Sequence, residues 1–258
     1  GSVWRPENYS QEFFGPQTLR RGIERSRNVM TVRLARDIGM PLIADYAQLF
    51  GIYDNMQPVL AMALGAGETT ALRMTAAYAT IANGGRKIVP TLIDRIQDRY
   101  GATVFRHDQR LCDGCASQDW HGQGEPRIVD NRPQVLDPMT AYQITSMMEG
   151  VVQRGTGTAA RALNRPVAGK TGTAEYCDNI AWALGLCVQG NWPSHAWFTA
   201  YAPYEDPEIL VIAFIYNGGE GSANALPVVV ETIEAYVRLR NERENRPQPV
   251  DLLAGTLP

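Results

Sequence analysis

The chain has 258 residues, of which 45% are hydrophobic and 20% are charged. This length and composition are typical of a globular protein whose core is large enough to need no cross-links. A net charge of −3 and the lack of any run of about 20 apolar residues exclude a broadly basic nucleic-acid-binding surface and argue against a membrane-spanning helix in this sequence.

Apolar residues spaced three to four apart predict helices in the first part of the chain, over residues 15–27, 29–39, 41–50 and 69–83. The last of these has the strongest pattern, with Thr69 or Thr70 as its cap and Gly84-Gly85 at its end. The tripeptide Ser26-Arg27-Asn28 falls at the junction between the first two helical stretches.

Residues 87–96 and 103–107 flank a turn and predict a β-hairpin. The polar stretch 111–133 is interpreted as a long surface loop because it is rich in turn-forming residues. A helix follows, with Asp137 as its cap and an end near Val152.

Three strands are predicted next, over residues 167–175, 195–203 and 208–217. The third strand is nearly all apolar, which indicates burial on both faces. Pro227 then opens a closing helix that extends to Arg240. Helices followed by strands and a closing helix predict an α+β fold, with an antiparallel sheet packed on helices.

The chain has four cysteines, at positions 112, 115, 177 and 187. The first two form a C-x-x-C motif, for which three interpretations compete. A zinc half-site requires a second ligand pair, and a thioredoxin-like motif requires a strand before it and a helix after it. The surroundings are loop-like, so we favour a local disulfide between Cys112 and Cys115 in an exported protein, over two idle thiols.

The segment "VAGKTGTAEY", residues 167–176, places a lysine inside a predicted strand. Alternation along a strand puts Thr171 and Thr173 on one face and Lys170 and Gly172 on the other. Two hydroxyls on one face can hold a carboxylate, and the Thr173 N–H can donate to a developing oxyanion. Gly172 lets another element approach the backbone closely. These residues predict a site for a free C-terminal carboxylate.

Ser26 and Asn28 form an S-x-N pair that precedes the K-T-G segment. At a helix junction both side chains can project into one cleft, where the serine can pass a proton to a leaving amine and the amide can hold a peptide carbonyl. Taken alone, the pair is better explained as a cap at a helix break. Together, S-x-N followed by K-T-G matches the order of motifs in penicillin-binding proteins and class A β-lactamases.

Longer stretches carry the same resemblance. "VWRPENYSQEFFGPQTLRRGIERSRNVMTVRLARDIG", "ALGAGETTALRMTAAYATIANGG" and "LDPMTAYQITSMMEGVVQRGTGTAARALNRPVAGKTGT" resemble, in order, the transpeptidase domain of class A penicillin-binding protein 1A. The resemblance implies the penicillin-recognising serine transpeptidase fold, D,D-transpeptidation of peptidoglycan stem peptides and acylation by β-lactams. It assigns catalytic roles to Ser26, Asn28, Lys170 and Thr173, and substrate binding to Thr171, Gly172 and Thr173.

The sequence departs from the family in two places. No S-x-x-K motif, which carries the family's nucleophilic serine, occurs among these residues. Because the nucleophile is missing, we expect the chain alone to be inactive. The chain begins Gly-Ser without Met, so we expect a processed or cloned piece, in which either the front part is missing or a second chain supplies it. After about residue 175 the sequence looks more like class B penicillin-binding protein 2, following the unusual insert "CDNIAWALGLCVQGNWPS".

The resemblance therefore implies a partial transpeptidase domain over residues 1–243, with an excursion at about 86–133, and a charged Pro-rich tail over residues 244–258. The first alternative is a non-catalytic binding or interaction fragment, or an engineered fragment that lacks S-x-x-K. A D,D-carboxypeptidase or a β-lactamase is the further alternative, and is weaker because the sequence shows no deacylating glutamate.

The implied partners are the D-Ala-D-Ala end of a stem peptide, β-lactams as covalent inhibitors of the complete enzyme, and cell-wall synthesis proteins, but no nucleic acid. No cofactor and no metal are implied. The implied location is the periplasmic or extracytoplasmic side of the inner membrane, with an anchor on an N-terminal segment outside this sequence.

Overall fold

The computed structural model of the chain describes residues 5–115, 119, 121–122, 124–188 and 191–245. The chain divides into two compact units. The first unit consists of Gly1–Gly22 and Arg27–Met147, and the second of Ile23–Ser26 and Met148–Pro258. None of the helices in the described part of the chain is both long and apolar enough to cross a bilayer.

The helical elements of the first unit are α1 (Leu19–Glu24, whose last two residues belong to the second unit), α2 (Asn28–Ile38), α3 (Met40–Leu49), a 3₁₀ helix (Leu60–Leu64), α4 (Ala71–Ala82) and the first part of α5 (Pro138–Arg154). All five predicted helices are thus confirmed, with shifted ends. Thr70 caps α4 by accepting a hydrogen bond from the Arg73 N–H, and Asp137 caps α5 through the Met139 and Thr140 N–H groups. A small apolar core of this unit is formed by Ala35, Met40 and Met56.

Two short hairpins lie between α4 and α5. Strands β1 (Arg95–Gln97) and β2 (Thr103–Arg106) form the predicted hairpin, although its first strand begins only at Arg95. Strands β3 (Leu111–Asp113) and β4 (Arg127–Val129) form a second antiparallel pair. The prediction of a long surface loop over 111–133 is therefore wrong where these two strands lie. Turn-forming residues dominate the composition between the strands, which have only three residues each and are hard to recognise in the sequence.

A disulfide joins Cys112 to Cys115, as expected from the C-x-x-C motif, and a second disulfide joins Cys177 to Cys187. The second bond closes the insert between two strands of the second unit, which contains the short helix α6 (Asn179–Ala183). In the described part of the chain, no group of three or more His, Cys, Asp or Glu side chains is placed to hold a metal ion.

The second unit is built on an antiparallel sheet of β5 (Ala168–Glu175), β6 (Ser194–Ala202) and β7 (Ile209–Ile215), in that order, with helix α7 (Leu226–Glu244) packed against it. The three predicted strands and the closing helix are confirmed, and so is the α+β class. The core of this unit collects inward-facing residues of β6, α7 and the 3₁₀ helix Thr158–Leu163, among them Phe198, Ala200, Val229 and Ile233.

The prediction that the third strand is buried on both faces is wrong. Among the described residues, β7 pairs only with β6, and 43% of Phe214 is exposed. Strand β7 lies at an edge of the sheet, where one face packs on α7 and the other meets solvent. An almost wholly apolar sequence therefore does not mean that this strand is buried on both faces.

The domain boundary at residue 243 stays a prediction. Helix α7 ends at Glu244, and of the predicted tail over 244–258 only residues 244 and 245 belong to the described part of the chain. The predicted Pro-rich tail thus falls almost entirely outside the described residues.

Candidate active site

The side chain of Lys170 lies at the centre of the candidate site. Strand β5 carries it, and its Nζ donates to the Ser26 Oγ at 2.7 Å and to the Thr171 carbonyl oxygen at 2.6 Å. Burial lowers the pKa of Lys170 from its ordinary value of 10.5 to about 8, because desolvation disfavours the ammonium. Near neutral pH the amine can therefore exchange a proton with the serine hydroxyl.

Ser26 reaches Lys170 from the turn between α1 and α2. Its backbone is left-handed, with φ at +51°, and its N–H donates to the Ile23 carbonyl oxygen at 3.2 Å. A left-handed non-glycine residue interrupts a helix, which explains why two helices meet here. The predicted junction at Ser26-Arg27-Asn28 is confirmed.

Thr171 is buried, with 8% of its surface exposed. Its Oγ1 lies 2.6 Å from the Oγ1 of Thr156, and either hydroxyl can be the donor in this hydrogen bond. Thr156 belongs to the Gly155-Thr156-Gly157 turn that follows α5. The turn therefore holds the hydroxyl of Thr171 in one orientation.

Gly172 permits the close backbone approach that the sequence suggests. Gly221 packs against it so tightly that a Cβ atom at Gly221 would overlap the backbone of Gly172 and the Trp197 carbonyl. Gly172 itself faces the Trp197 side chain on β6. The two glycines let the segment before α7 lie directly on the site strand.

Thr173 follows on the same strand and is half-buried. Because β5 has a neighbour on one side only among the described residues, alternate backbone N–H groups of this strand point away from β6 along a free edge. This edge suits the donation of a backbone N–H to an oxyanion. The oxyanion role of Thr173 stays a prediction.

Asn28 lies in the first unit, where its side-chain amide donates to the Glu7 carbonyl oxygen at 3.1 Å. The same segment is fastened by Asn8, whose Oδ1 accepts from the Val29 N–H at 3.2 Å. Among the six predicted site residues, the second unit contains Ser26, Lys170, Thr171, Gly172 and Thr173. The role of Asn28 in substrate binding stays a prediction.

Sequence reasoning missed two residues that support the site. Thr156 was not singled out from the sequence, although a hydroxyl between two glycines is itself a signal of a tight, oriented turn. Glu24 was not singled out either, yet only 2% of it is exposed and it pairs with Arg154 at 2.6 Å. No local signal in the sequence distinguishes a buried glutamate from a solvated one.

Comparison with known proteins places this geometry in a family. The family model described as "Penicillin binding protein transpeptidase domain" matches residues 1–234. Penicillin-binding protein 1A of Rickettsia bellii is 38% identical over 233 residues, which cover 88% of this chain and 28% of that protein. The resemblance to class A proteins is thus confirmed, and at this coverage it continues past residue 175. The likeness of the later part to class B proteins stays a prediction.

Solved structures agree with this assignment. The D,D-transpeptidase domain of a peptidoglycan glycosyltransferase from Eggerthella lenta is 26% identical, with a TM-score of 0.64 over 90% of this chain and 56% of that chain. Penicillin-binding protein A from Mycobacterium tuberculosis, solved as a penicillin G acyl-enzyme complex, shares the fold, with 24% identity and a TM-score of 0.64 over 92% of this chain and 53% of that one.

The chain spans 28% of the length of the Rickettsia bellii protein and about half of the two solved chains. The family model nevertheless matches most of this chain, from residue 1 to residue 234. The penicillin-recognising fold expected from the sequence is confirmed. This chain belongs to the penicillin-binding protein transpeptidase domain family.

Proposed function

We propose that this chain is the C-terminal portion of a peptidoglycan D,D-transpeptidase that cross-links stem peptides by serine acyl transfer. The observation that carries the proposal is the 2.7 Å hydrogen bond from the Lys170 Nζ to the Ser26 Oγ, with the Lys170 pKa lowered to about 8. A buried lysine with a depressed pKa beside a serine hydroxyl is suited to moving protons at neutral pH.

In the proposed reaction, a serine hydroxyl attacks the carbonyl carbon of the penultimate D-Ala, and the bond to the terminal D-Ala breaks. The nucleophilic serine belongs to an S-x-x-K motif outside these 258 residues. The leaving amine takes a proton that Ser26 delivers and Lys170 replaces. The amine of a second stem peptide then attacks the acyl-enzyme ester, forms the cross-link and releases the serine.

The strand β5 supplies the electrostatic part of the proposed site. The hydroxyls of Thr171 and Thr173 hold the terminal carboxylate of the donor peptide, and the buried cation of Lys170 adds attraction for an anion. The Thr173 N–H stabilises the oxyanion of the tetrahedral intermediate. Asn28 binds a peptide carbonyl. A β-lactam, which carries a carboxylate beside a reactive amide, enters the same site and acylates the same serine.

The relatives of this chain are bacterial penicillin-binding proteins, which act outside the cytoplasm. We therefore propose an extracytoplasmic location, with an anchor on an N-terminal segment outside this sequence, and the enzymes of cell-wall synthesis as partners. A carboxypeptidase or β-lactamase would use water as acceptor, and no described residue favours it. The rival proposal of a non-catalytic binding module rests on the lack of S-x-x-K in these residues.

Intact-mass spectrometry after incubation with a fluorescent penicillin tests the proposal. We expect no covalent adduct on the 258-residue chain and one adduct on the full-length gene product. In the full-length protein, Lys170→Arg keeps the charge but cannot release a proton, so the acylation rate should fall by about 10²-fold or more. An adduct on the short chain, or full-length protein that is not labelled at all, contradicts the proposal.

A further inference from the structure

The proposed reaction makes no use of Glu24, although this carboxylate is among the most buried charged groups of the second unit. Only 2% of Glu24 is exposed, and its Oε1 accepts from the Arg154 guanidinium at 2.6 Å. Taking a carboxylate out of water is unfavourable unless it is paired, so the burial of Glu24 depends on its ion pair with Arg154. Arg154 is half-exposed and closes the pair from the solvent side.

Two glycines make room for this buried carboxylate. A Cβ atom at Gly150 would overlap the Glu24 carboxylate, and one at Gly155 would overlap the Glu24 carbonyl oxygen. Gly150 lies inside helix α5, where glycine is an unfavourable residue. The end of α5 and the turn after it therefore form a cavity that fits Glu24. We call the residues that line it, Gly150, Gly155 and Thr156, the seat of Glu24.

The backbone of Glu24 is fastened to the same seat. The Thr156 N–H donates to the Glu24 carbonyl oxygen at 3.1 Å. The side chain of Thr156 contacts Thr171, so one residue touches both the segment that carries Ser26 and the strand that carries Lys170. Two residues after Glu24, the left-handed backbone of Ser26 brings its hydroxyl to Lys170.

We propose that Glu24 and Arg154 are positioning residues that hold Ser26 against Lys170, through the seat formed by Gly150, Gly155 and Thr156. This inference rests on the proposed function, because it assigns a role to the proton path between Ser26 and Lys170. Neither residue contacts the reacting atoms. Both act by fixing where the Ser26 hydroxyl lies.

The test is a double-mutant cycle in the full-length protein, with the acylation rate by a fluorescent penicillin as the readout. Glu24→Gln keeps the shape and removes the charge pair, and we expect a loss of about 10-fold to 100-fold, the size of effect that a 1 Å misplacement produces. In a Ser26→Ala background, the same substitution should cause no further loss, because its effect passes through Ser26.

Glu208→Gln is the matched control, since Glu208 forms an ion pair with Arg240 in the same unit without touching the site. It should leave the acylation rate unchanged, and thermal unfolding should show whether each variant remains folded. If Glu24→Gln does not fold, Arg154→Lys replaces it. Arg154→Lys keeps the positive charge but loses the planar guanidinium that can make two parallel hydrogen bonds. It should lower the acylation rate less than Glu24→Gln, and this loss should also vanish in the Ser26→Ala background.

The outcomes separate this inference from the function on which it rests. If Ser26→Ala acylates at the wild-type rate, the proposed proton path is wrong. If Ser26→Ala is slow but Glu24→Gln acylates normally, or if the two losses simply multiply, the positioning role is wrong and the proposed function stands.

Discussion

The Nζ of Lys170 donates to the Oγ of Ser26 over 2.7 Å, although 144 positions of sequence separate the two residues. Each comes from a different kind of element, since Lys170 lies on strand β5 and Ser26 lies in the turn between α1 and α2. Both belong to the second unit, because Ile23–Ser26 is the one segment of the chain's first part that does so. The candidate proton path therefore forms when the segment Ile23–Ser26 packs into the second unit beside Lys170.

The depressed pKa of Lys170 predicts a pH-dependent stability. The unfolded chain keeps this lysine protonated up to its ordinary pKa of 10.5, whereas the folded chain releases the proton at about 8. Between these values the unfolded state binds more protons, so the free energy of unfolding contributed by Lys170 rises with pH from about 8 to 10.5. Urea unfolding at several pH values should show this rise for the wild type relative to Lys170→Met.

The chain offers a direct check of the same titration. Lys87 and Lys170 are its only two lysines, so ¹⁵N NMR of lysine side chains yields two Nζ signals, and Lys87→Arg identifies which belongs to Lys170. A Lys170 midpoint near 10.5 would contradict the burial argument.

Removal of the Thr171 hydroxyl should weaken the proposed carboxylate site. Thr171→Val keeps the shape of the side chain but loses the hydrogen bond to Thr156 and to a bound carboxylate. A hydrogen bond to a charged group contributes roughly 1.5–3 kcal/mol, so the acylation efficiency of the full-length protein with penicillin should fall about 10- to 100-fold. The efficiency is obtained from the concentration dependence of labelling.

Thr232→Val is the control for this substitution. Thr232 lies on α7, and its hydroxyl donates only to the Val228 carbonyl oxygen of the same helix among the contacts of the described chain. It should leave labelling unchanged. Equal losses from both variants would indicate a general effect of exchanging threonine for valine rather than a carboxylate site at Thr171.

Gly221→Ala should destabilise the second unit, since the added methyl group overlaps the backbone of Gly172 and the Trp197 carbonyl. Backbone atoms cannot turn aside as a side chain can, and overpacking of this kind costs about 1–3 kcal/mol. Urea unfolding measures the change. At Gly124 an added methyl meets no atom of the described residues within 4 Å, so Gly124→Ala should be neutral, and a neutral Gly221→Ala would mean that the two segments do not touch.

Loss of the Cys177–Cys187 disulfide should loosen the insert between β5 and β6. The bond closes a loop of ten sequence positions, and disulfides typically contribute about 2–4 kcal/mol by restricting the unfolded chain. The double variant Cys177→Ser with Cys187→Ser should therefore unfold at lower urea than the wild type. The same substitutions at Cys112 and Cys115 give the comparison for a three-position separation, for which we expect a smaller change.

Much of the candidate site follows from local patterns in the sequence. The strand at Lys170, the helix junction at Ser26 and the cap at Asp137 each depend on residues that are neighbours along the chain, and each is recognisable there. The order of S-x-N before K-T-G is also visible in the sequence, although the two motifs lie far apart. The α+β class follows from the order of elements in the same way.

The contacts that complete the site depend on residues far apart in the sequence. Whether β7 is a central or an edge strand depends on which strands pair, and its apolar run is the same in either case. The burial of Glu24 depends on glycines 126 and 131 positions later, and the orientation of Thr171 depends on a hydroxyl in another turn. Propensity and periodicity report only the immediate chain, so these relationships were decided by tertiary packing alone.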